Sequence, residues 1–344
     1  MKLNFKTADE LAGILGTTPR ALSRVINSAD HFYEDCVLID PARPDNNREI
    51  VKVEGELRRL QEVLYHRVLK PGHKPTCYSH GGIKSRNIKT NISPHCGSQF
   101  ILTRDIQDFF PSISDRRIHT LFKKCLLCSE DVARILTRLC TYRHHLAQGL
   151  ITSPILADYL MMWADKRIGA MCDRVPGDKP LVYTRYVDDL TISARFSIES
   201  GTFPKLVDQI LKDSGFTVHP KKKACGPLTN QVKITKIRIH KGRPDIHPDY
   251  LADLKHQISK VGQLQHGGNW DGLYYTPDQI LGRIHYVGWI NPAHTPILMA
   301  AFKSFDWKKV ECEAKLRGLE RVRKKLVPKL EFDRGKSEVS SSVE

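Results

Sequence analysis

The spacing of hydrophobic positions predicts both helices and strands in this chain. Residues 7–27 carry apolar side chains at helical spacing, broken at "GTTP", which predicts two short helices. Thr7 lies three residues before Glu10, the spacing of a capping box at the start of the first helix. A helix-turn-helix is an alternative interpretation, and an ordinary helical pair is preferred. Residues 37–53 predict two strands around a Pro/Asp/Asn turn, and 54–70 predict an amphipathic helix.

The rest of the chain continues this mixture, after a loop-like, basic stretch rich in Gly and Ser at 70–98. The predicted elements are a strand at 99–110, helices over 115–142 and 155–174, an apolar strand-like run at 181–193, a helix at 203–215, short strands within 216–227 and 231–246, and a mostly helical, basic region from Pro248 to about Lys329. The polar end of the chain, 331–344, is predicted to be disordered.

Positive charge is concentrated in one part of the sequence. The formal net charge is +16, and residues 221–330 hold 21 Lys+Arg against 9 Asp+Glu, a difference of 12. Such a basic surface is expected of a protein that binds a phosphate backbone, because neutralised phosphates release condensed counterions. A basic protein with a solvated face is the alternative.

Export and membrane insertion are not predicted, and a cytoplasmic location is expected. The first residues lack an apolar core, and no stretch reaches the length of a membrane-spanning helix. The nine cysteines are irregularly spaced and odd in number, which indicates reduced thiols. "CLLC", at Cys125 and Cys128, has no second pair to complete a zinc site.

Carboxylates stand where the apolar pattern predicts buried strands. Asp105 follows a strand, and Asp188 and Asp189 interrupt "LVYTRYVDDLTIS", which reads as a hairpin with both acids at its tip. If the two strands are neighbours, these carboxylates converge and require positive charge to stay ionised. Two Mg²⁺ ions, for which Mn²⁺ could substitute, would provide that charge and support in-line phosphoryl transfer. A pair of turn aspartates on an ordinary hairpin is the alternative.

Three short sequence motifs, in the same order as in the family, give the chain a resemblance to reverse transcriptases. "RYVDDL" resembles the family's Y-x-D-D box, "RDIQDFFPSI" resembles the strand with the first catalytic aspartate, and "QGLITSP" resembles the box that contacts incoming nucleotide. The likeness runs from about residue 30 to 295. It implies an α+β right-hand polymerase, with fingers, a palm of antiparallel sheet and helices, and a helical thumb.

The resemblance implies catalytic and metal-binding roles position by position. Asp105 and Asp188 match the carboxylates that bridge two magnesium ions, Asp189 matches their acidic neighbour, and Ile106 belongs to the same metal-binding set.

Nucleotide-binding roles are implied in the same way. Phe110 matches the bulky residue under the nucleotide sugar that excludes a 2′-hydroxyl, and a core phenylalanine is the alternative. Gln148 and Gly149 match the dNTP-contacting pair. Lys222 is the expected cation near the pyrophosphate, with Lys221 or Lys223 as equal candidates and a solvated lysine run as the alternative.

Within the family, the chain most resembles bacterial retron enzymes. Asn91 and His95 match the outer residues of the retron Asn-Ala-x-x-His box, although Ile92 replaces its alanine. Thr235 matches the Val-Thr-Gly box, where Lys236 replaces glycine. The resemblance implies that Asn91, His95, Thr235 and Lys236 bind RNA.

A retron assignment implies specific partners. They are a structured non-coding RNA that supplies template and 2′-hydroxyl primer, its branched RNA–DNA product (msDNA), dNTPs, and a separate effector protein in anti-phage defence. The alternatives are a non-retron defence-associated or intron-derived reverse transcriptase, a non-catalytic RNA-binding module on a polymerase scaffold, and a DNA-binding regulator that uses the N-terminal helical pair.

The predicted domains follow the right-hand plan. They are N-terminal helices and fingers at 1–97, a palm at 98–239 with inserted fingers helices at about 115–180, an RNA-binding thumb at 240–330 and the tail at 331–344. Aromatic residues interleave with the basic thumb, and one or two of them are expected to stack on RNA bases. They are Trp270, Tyr274, Tyr275, Tyr286 and Trp289.

Overall fold

The computed structural model describes residues 3–42, 44–175, 181–198, 202–229, 231–267, 275–319 and 321–329. The predicted tail and two of the thumb aromatics, Trp270 and Tyr274, lie outside these residues. Helices and antiparallel sheets alternate along the described chain, which confirms the α+β prediction.

The N-terminal region begins with the two predicted short helices, α1 (Ala8–Leu15) and α2 (Pro19–Asn27). The Thr7 hydroxyl accepts a hydrogen bond from the Glu10 amide at 3.2 Å, as predicted. The reciprocal half of the capping box is absent, because the Glu10 carboxylate accepts from the Lys6 amide instead, at 2.7 Å. The apolar faces of both helices join the main hydrophobic core.

A three-stranded antiparallel sheet follows, in the order β2-β1-β9. Strand β1 (Tyr33–Ile39) and strand β2 (Arg48–Val53) were predicted. The third strand, β9 (Lys325–Pro328), comes from the end of the predicted thumb and pairs with β1. Helix α3 (Gly55–Leu64) continues as a π-helical turn (Tyr65–Leu69) and ends in the short turn α4 (Lys70–Gly72).

The central sheet has the order β4-β5-β3-β6, with each neighbouring pair antiparallel. Its strands are β3 (Phe100–Asp105), β4 (Val182–Tyr186), β5 (Asp189–Ala194) and β6 (Ala224–Pro227). The hairpin of β4 and β5 is the one that the apolar run predicted. Strand β5 of this hairpin lies beside β3, so two distant parts of the sequence meet at the same edge of the sheet.

Helices surround this sheet. They are α5 (Ile88–Ile92), α6 (Asp115–Thr120), α7 (Glu130–Cys140), α8 (Ser153–Asp173) and α9 (Phe203–Asp213). The helical spacing over 115–142 corresponds to two separate helices: α6 runs into a π-helical turn (Leu121–Cys125), and Leu127 then adopts a left-handed φ of 60°. Ser129 caps the new start at α7, because its hydroxyl accepts from the Val132 amide.

The thumb region forms a second hydrophobic core with few links to the first. It contains the hairpin of β7 (Ile237–His240) and β8 (Arg243–Ile246), and the helices α10 (Pro248–Gln265), α11 (Pro277–Ile290), α12 (Thr295–Lys303) and α13 (Trp307–Leu316). Ile92 and Ile101, from α5 and β3, belong to this core and join it to the central sheet.

Candidate active site

Three carboxylates meet at one edge of the central sheet. Asp105, the last residue of β3, pairs with Asp189, the first residue of β5. The Ile106 amide donates a hydrogen bond of 3.2 Å to the Asp188 carbonyl, which places the hairpin tip beside the end of β3. The prediction placed both hairpin acids at the tip, and this is wrong in detail: only Asp188 lies in the turn, because Asp189 already pairs within β5.

The charges of these carboxylates oppose one another. Burial, followed by the charges of Asp188 and Asp105, raises the pKa of Asp189 to about 7. Burial and the Asp105 charge also raise the pKa of Asp188. A site that disfavours its own ionised form in this way is suited to a cation, which would offset the repulsion.

Divalent metal fits the donors present. Among the described residues, no group of three or more His, Cys, Asp or Glu side chains is placed so that it could hold a metal ion by itself. Mg²⁺ does not require such a group, because it keeps several waters and commonly binds one or two carboxylates together with substrate phosphates. The Ile106 side chain is buried and has no ligand atom, so only its main-chain carbonyl could serve in the predicted metal-binding set.

Basic side chains face the carboxylates from two directions. Lys222 Nζ lies 3.3 Å from Asp105 Oδ2, while the lysine side chain remains 61% exposed. This contact distinguishes Lys222 from its equally weighted neighbours Lys221 and Lys223. The charge of Arg48, at the start of β2, only partly offsets the raised pKa of Asp188. Sequence reasoning did not single out Arg48, since nothing local relates the two distant positions.

The two adjacent phenylalanines have different environments. Phe109 is 5% exposed and packs against Phe216, with ring centroids 5.7 Å apart. Phe110 is only partly buried, at the edge of the same cluster, and contacts Phe109 with centroids 5.3 Å apart. Phe109 is therefore part of the core, whereas part of the Phe110 ring remains accessible to a ligand.

The Gln148–Gly149 pair lies against β2. The Gln148 carbonyl accepts a hydrogen bond of 2.7 Å from the Val51 amide. Gly149 has a φ of 118°, and a Cβ at this position would lie 2.2 Å from the Val51 carbonyl oxygen. Only glycine fits this backbone approach. The predicted nucleotide box is thereby fixed to the same sheet that carries Arg48.

Comparison with known proteins identifies the family. Residues 42–235, more than half of the chain, match the model of the family described as "Reverse transcriptase (RNA-dependent DNA polymerase)". The chain belongs to the reverse transcriptase family. It is an RNA-directed DNA polymerase, which implies an RNA template and dNTP substrates, and enzymes of this family generally use divalent metal ions.

Relatives of this reverse transcriptase include several retron enzymes. Retron Ec86 reverse transcriptase of Escherichia coli is 28% identical over 255 residues, covering 72% of this chain and 78% of the relative. Retron Mx162 reverse transcriptase of Myxococcus xanthus is 25% identical over 344 residues, covering 87% and 67%. Retron Se72 reverse transcriptase of Salmonella heidelberg is 25% identical, covering 75% and 69%. The prediction of a retron-type reverse transcriptase is confirmed. Within the described residues, no helix has the length and apolarity needed to span a membrane.

Two of the residues predicted to bind RNA are inside the reverse transcriptase. Asn91 and His95 are both fully buried. The two ring nitrogens of His95 lie 2.7 Å from Ser193 Oγ and 2.8 Å from Thr184 Oγ1, so the ring joins β4 to β5 beneath the catalytic hairpin. Asn91 Nδ2 donates to Thr235 Oγ1 at 3.0 Å. Neither side chain presents a surface to RNA in this arrangement: His95 contacts two buried strand residues, and Asn91 contacts the partly exposed Thr235.

The burial of His95 predicts a pH dependence of stability. Burial lowers the pKa of His95 to about 3, from 6.5. Below pH 6.5, His95 binds a proton in the unfolded chain but not in the folded chain. The contribution of His95 to stability is therefore complete above that pH and is lost progressively as the pH falls toward 3. We expect a slope of up to about 1.4 kcal/mol per pH unit from this group. Denaturant unfolding between pH 7 and 4 of the wild type and His95→Gln would measure it. Parallel pH profiles for the two proteins would contradict the expectation.

The other two predicted RNA residues form a strained turn. Thr235 and Lys236 have left-handed φ values of 49° and 74°, between Ile234 and Ile237, which exchange both backbone hydrogen bonds. Such a two-residue turn favours glycine at its second position. The side chain of Thr235 is held by Asn91, and Lys236 is exposed. This chain thus departs from the Val-Thr-Gly box at Lys236, the turn position where glycine would have a conformational advantage.

The Lys236→Gly variant is expected to separate stability from RNA binding. Relief of the left-handed lysine should raise the free energy of unfolding by about 0.5–1 kcal/mol, after the entropy cost of glycine. Affinity for RNA should fall and its salt dependence become weaker by about one phosphate contact. Thermal unfolding and salt-titrated RNA binding test the two parts. A gain in stability with unchanged RNA affinity would remove Lys236 from the RNA-binding surface.

A small cavity connects this turn to the catalytic edge. Its volume is about 150 Å³, and residues of β3, β5, the lysine box and the turn line it, including Asp105, Asp189, Lys222, Lys233 and Thr235. Two of the three predicted catalytic residues, Asp105 and Asp189, therefore share one concave surface with Thr235.

Aromatic residues of the thumb pack against one another, and one of them contacts Lys89 of α5. Tyr286 packs between Tyr250 and Trp289, at centroid distances of 5.5 and 6.2 Å. Trp289 is 43% exposed, and Lys89 Nζ lies 5.5 Å from its ring centroid while donating to its carbonyl at 2.8 Å. Trp289 therefore has both a structural contact and a free face, as expected for a base-stacking residue.

Proposed function

We propose that this retron-type reverse transcriptase copies a structured non-coding RNA from a 2′-hydroxyl of that RNA and leaves a branched RNA–DNA product (msDNA). The observation that carries the proposal is the convergence of Asp105, Asp188 and Asp189 with Lys222 at one sheet edge. The retron relatives support the choice of template and primer. A role in anti-phage defence with a separate effector protein is part of the same proposal.

The carboxylates would hold two Mg²⁺ ions, with Mn²⁺ as a substitute. Asp105, Asp188, Asp189 and the Ile106 carbonyl would be the protein ligands of these ions. Bound metal would stabilise the attacking and leaving oxygens of the phosphoryl transfer. Burial, together with the charges of Asp188 and Asp105, raises the pKa of Asp189 to about 7, so without metal the site would tend to hold a proton that metal binding should release.

Side chains around the carboxylates would orient the nucleotide. Gln148 and Gly149 allow the incoming dNTP to approach the backbone, and Phe110 would lie under its sugar and exclude a 2′-hydroxyl. Lys222 would lie near the pyrophosphate and donate a proton from Nζ as it departs. Arg48 would neutralise the triphosphate from the opposite side.

The RNA would lie across the basic thumb. Residues 221–330 carry an excess of 12 positive charges, which suits the phosphates and 2′-hydroxyls of an A-form duplex. Lys236 and the exposed face of Trp289 would contact this RNA, with Thr235 and its partner Asn91 setting the turn.

The test is to identify nucleic acid that copurifies with the enzyme from its native host. The nucleic acid is split between RNase and DNase treatment and sequenced, beside an Asp188→Asn variant. Short DNA joined to one RNA species by a 2′-linked branch, absent from the variant, is the expected result. Unbranched DNA would move the enzyme to another class of defence-associated or intron-derived reverse transcriptase. RNA alone, identical in both proteins, would overturn the catalytic proposal.

A further inference from the structure

The tip of the catalytic hairpin has an unfavourable backbone conformation. Val187, between β4 and Asp188, has a left-handed φ of 61°. For a β-branched residue this is a genuine outlier, and such strain persists only where surrounding contacts determine it. The direction of the Asp188 carboxylate depends on this backbone. The contacts that hold Val187 therefore also determine where that carboxylate points.

Two contacts hold Val187 in place. Arg185 Nη1 donates a hydrogen bond of 2.8 Å to the Val187 carbonyl. On the other side, Gly81 packs so closely that a Cβ there would lie 2.6 Å from the Val187 amide nitrogen and 2.4 Å from its Cγ2. Gly81 does not have a left-handed φ, so this close approach is the reason that a side chain is excluded.

The Arg185 guanidinium is itself fixed by two buried acids of α8. Arg185 is 1% exposed, and its Nε and Nη2 donate to the two oxygens of Asp165 at 2.8 Å each. Nη2 also donates to Asp158 Oδ1 at 2.6 Å. This two-pronged geometry fixes the plane of the guanidinium, which a lysine could not do.

The loop that carries Gly81 is tied to the same cluster. The backbone of Arg185 donates to the Tyr78 carbonyl and accepts from the His80 amide, both at 2.7 Å. Ser79 Oγ donates to Asp158 Oδ1 at 2.6 Å, and Thr76 Oγ1 donates to Asp165 Oδ2 at 2.8 Å. Residues 76–81, β4 and α8 are thus joined at one point directly beneath the hairpin tip.

We propose that Arg185, held by Asp158 and Asp165 and backed by Gly81, is a positioning residue that fixes Val187 and thereby aims the Asp188 carboxylate. A buried ion cluster is weak evidence for stability alone, since apolar residues often stabilise such a position equally well. Here the guanidinium also donates a hydrogen bond to the carbonyl of Val187, the strained residue next to Asp188. This inference rests on the proposed function of Asp188.

The test compares Gly81→Ala and Arg185→Lys with the wild type. The alanine methyl would displace Val187, and the lysine would keep the charge but lose the hydrogen bond to its carbonyl. A displacement of about 1 Å at a reacting group can lower kcat about 100-fold, and we expect a loss of this order with the KM for dNTP unchanged. The Gly81→Ala, Val187→Ala double variant should recover part of it, because the Cγ2 overlap is removed.

Two measurements without turnover separate positioning from folding. In both single variants, Mn²⁺ should bind more weakly and amide hydrogen exchange should accelerate at 187–190, with exchange in β7 and β8 unchanged. Gly288→Ala provides a matched control, since its Cβ would lie 2.4 Å from Thr295 Oγ1 in the thumb. It should lower the melting temperature without weakening Mn²⁺ binding.

The outcomes are distinct. Activity that falls only in proportion to the folded fraction, with Mn²⁺ binding and exchange at 187–190 as in the wild type, would overturn the positioning role. If the wild type itself neither polymerises nor binds Mn²⁺, the proposed function fails first.

Discussion

The Asp188→Asn variant is expected to lose polymerase activity by about 1,000-fold or more while becoming more stable. In the proposed site, loss of the Asp188 carboxylate would remove one metal ligand and with it several kcal/mol of transition-state stabilisation, and each 1.36 kcal/mol corresponds to about a tenfold change in rate. The same change removes one of three mutually repelling, partly buried carboxylates, which should raise the free energy of unfolding by about 1 kcal/mol in the absence of metal. Primer-extension kinetics and thermal unfolding in chelator measure the two effects.

A matched control comes from an exposed aspartate. Asp213, at the end of α9, forms a surface ion pair with Arg167, at 3.0 Å. Asp213→Asn changes the net charge equally and should leave activity and metal response near those of the wild type. RNA affinity should be the same in all three proteins. An Asp188→Asn variant that is inactive but less stable than the wild type would show that Asp188 supports the fold rather than opposing it.

Features encoded in short stretches could be predicted from the sequence. The hairpin of β4 and β5 follows from an apolar run interrupted by two acids, and β3 from its apolar residues before Asp105. In these cases local spacing and residue type carry the information. Gly149 was predicted to contact the incoming nucleotide, whereas the close approach in the structure is to the Val51 carbonyl, which the local sequence does not indicate.

Features that depend on distant partners could not be predicted. Strand β9 is short and basic, and only its pairing with β1 makes it a strand. Asn91 and His95 looked like polar residues of a surface loop, because nothing local indicates that Thr235, Thr184 and Ser193 satisfy them in the interior.

The ion cluster under the hairpin was missed for the same reason. Asp158 and Asp165 are polar positions in a helix whose other inner residues are apolar, and Arg185 is a charge in an apolar strand. Each is a weak signal alone, since a polar residue in either element is usually exposed. Considered together, one cation and two anions in segments otherwise predicted to be buried could have indicated a buried ion cluster.

The Phe110→Ala variant is expected to admit ribonucleotides. In the proposed site the Phe110 ring lies under the nucleotide sugar, and discrimination comes from its steric conflict with a 2′-hydroxyl. Removing a conflict worth about 1–3 kcal/mol changes the ratio of kcat/KM for dNTP over NTP about 10- to 200-fold. We expect the change mainly as a rise in NTP incorporation, because Phe110 is partly exposed and its loss leaves the core around Phe109 in place.

The neighbouring phenylalanine makes this prediction specific. Phe109→Leu alters the 5% exposed ring that packs on Phe216, so it should lower the free energy of unfolding by about 1 kcal/mol and leave the nucleotide ratio unchanged. Single-nucleotide extension with matched dNTP and NTP series measures the ratio for both variants. If the ratio changes with Phe109→Leu and not with Phe110→Ala, the sugar lies on the other side of this pair. If it changes with neither, the discrimination against the 2′-hydroxyl lies elsewhere in the site, and Phe110 is only the rim of the core.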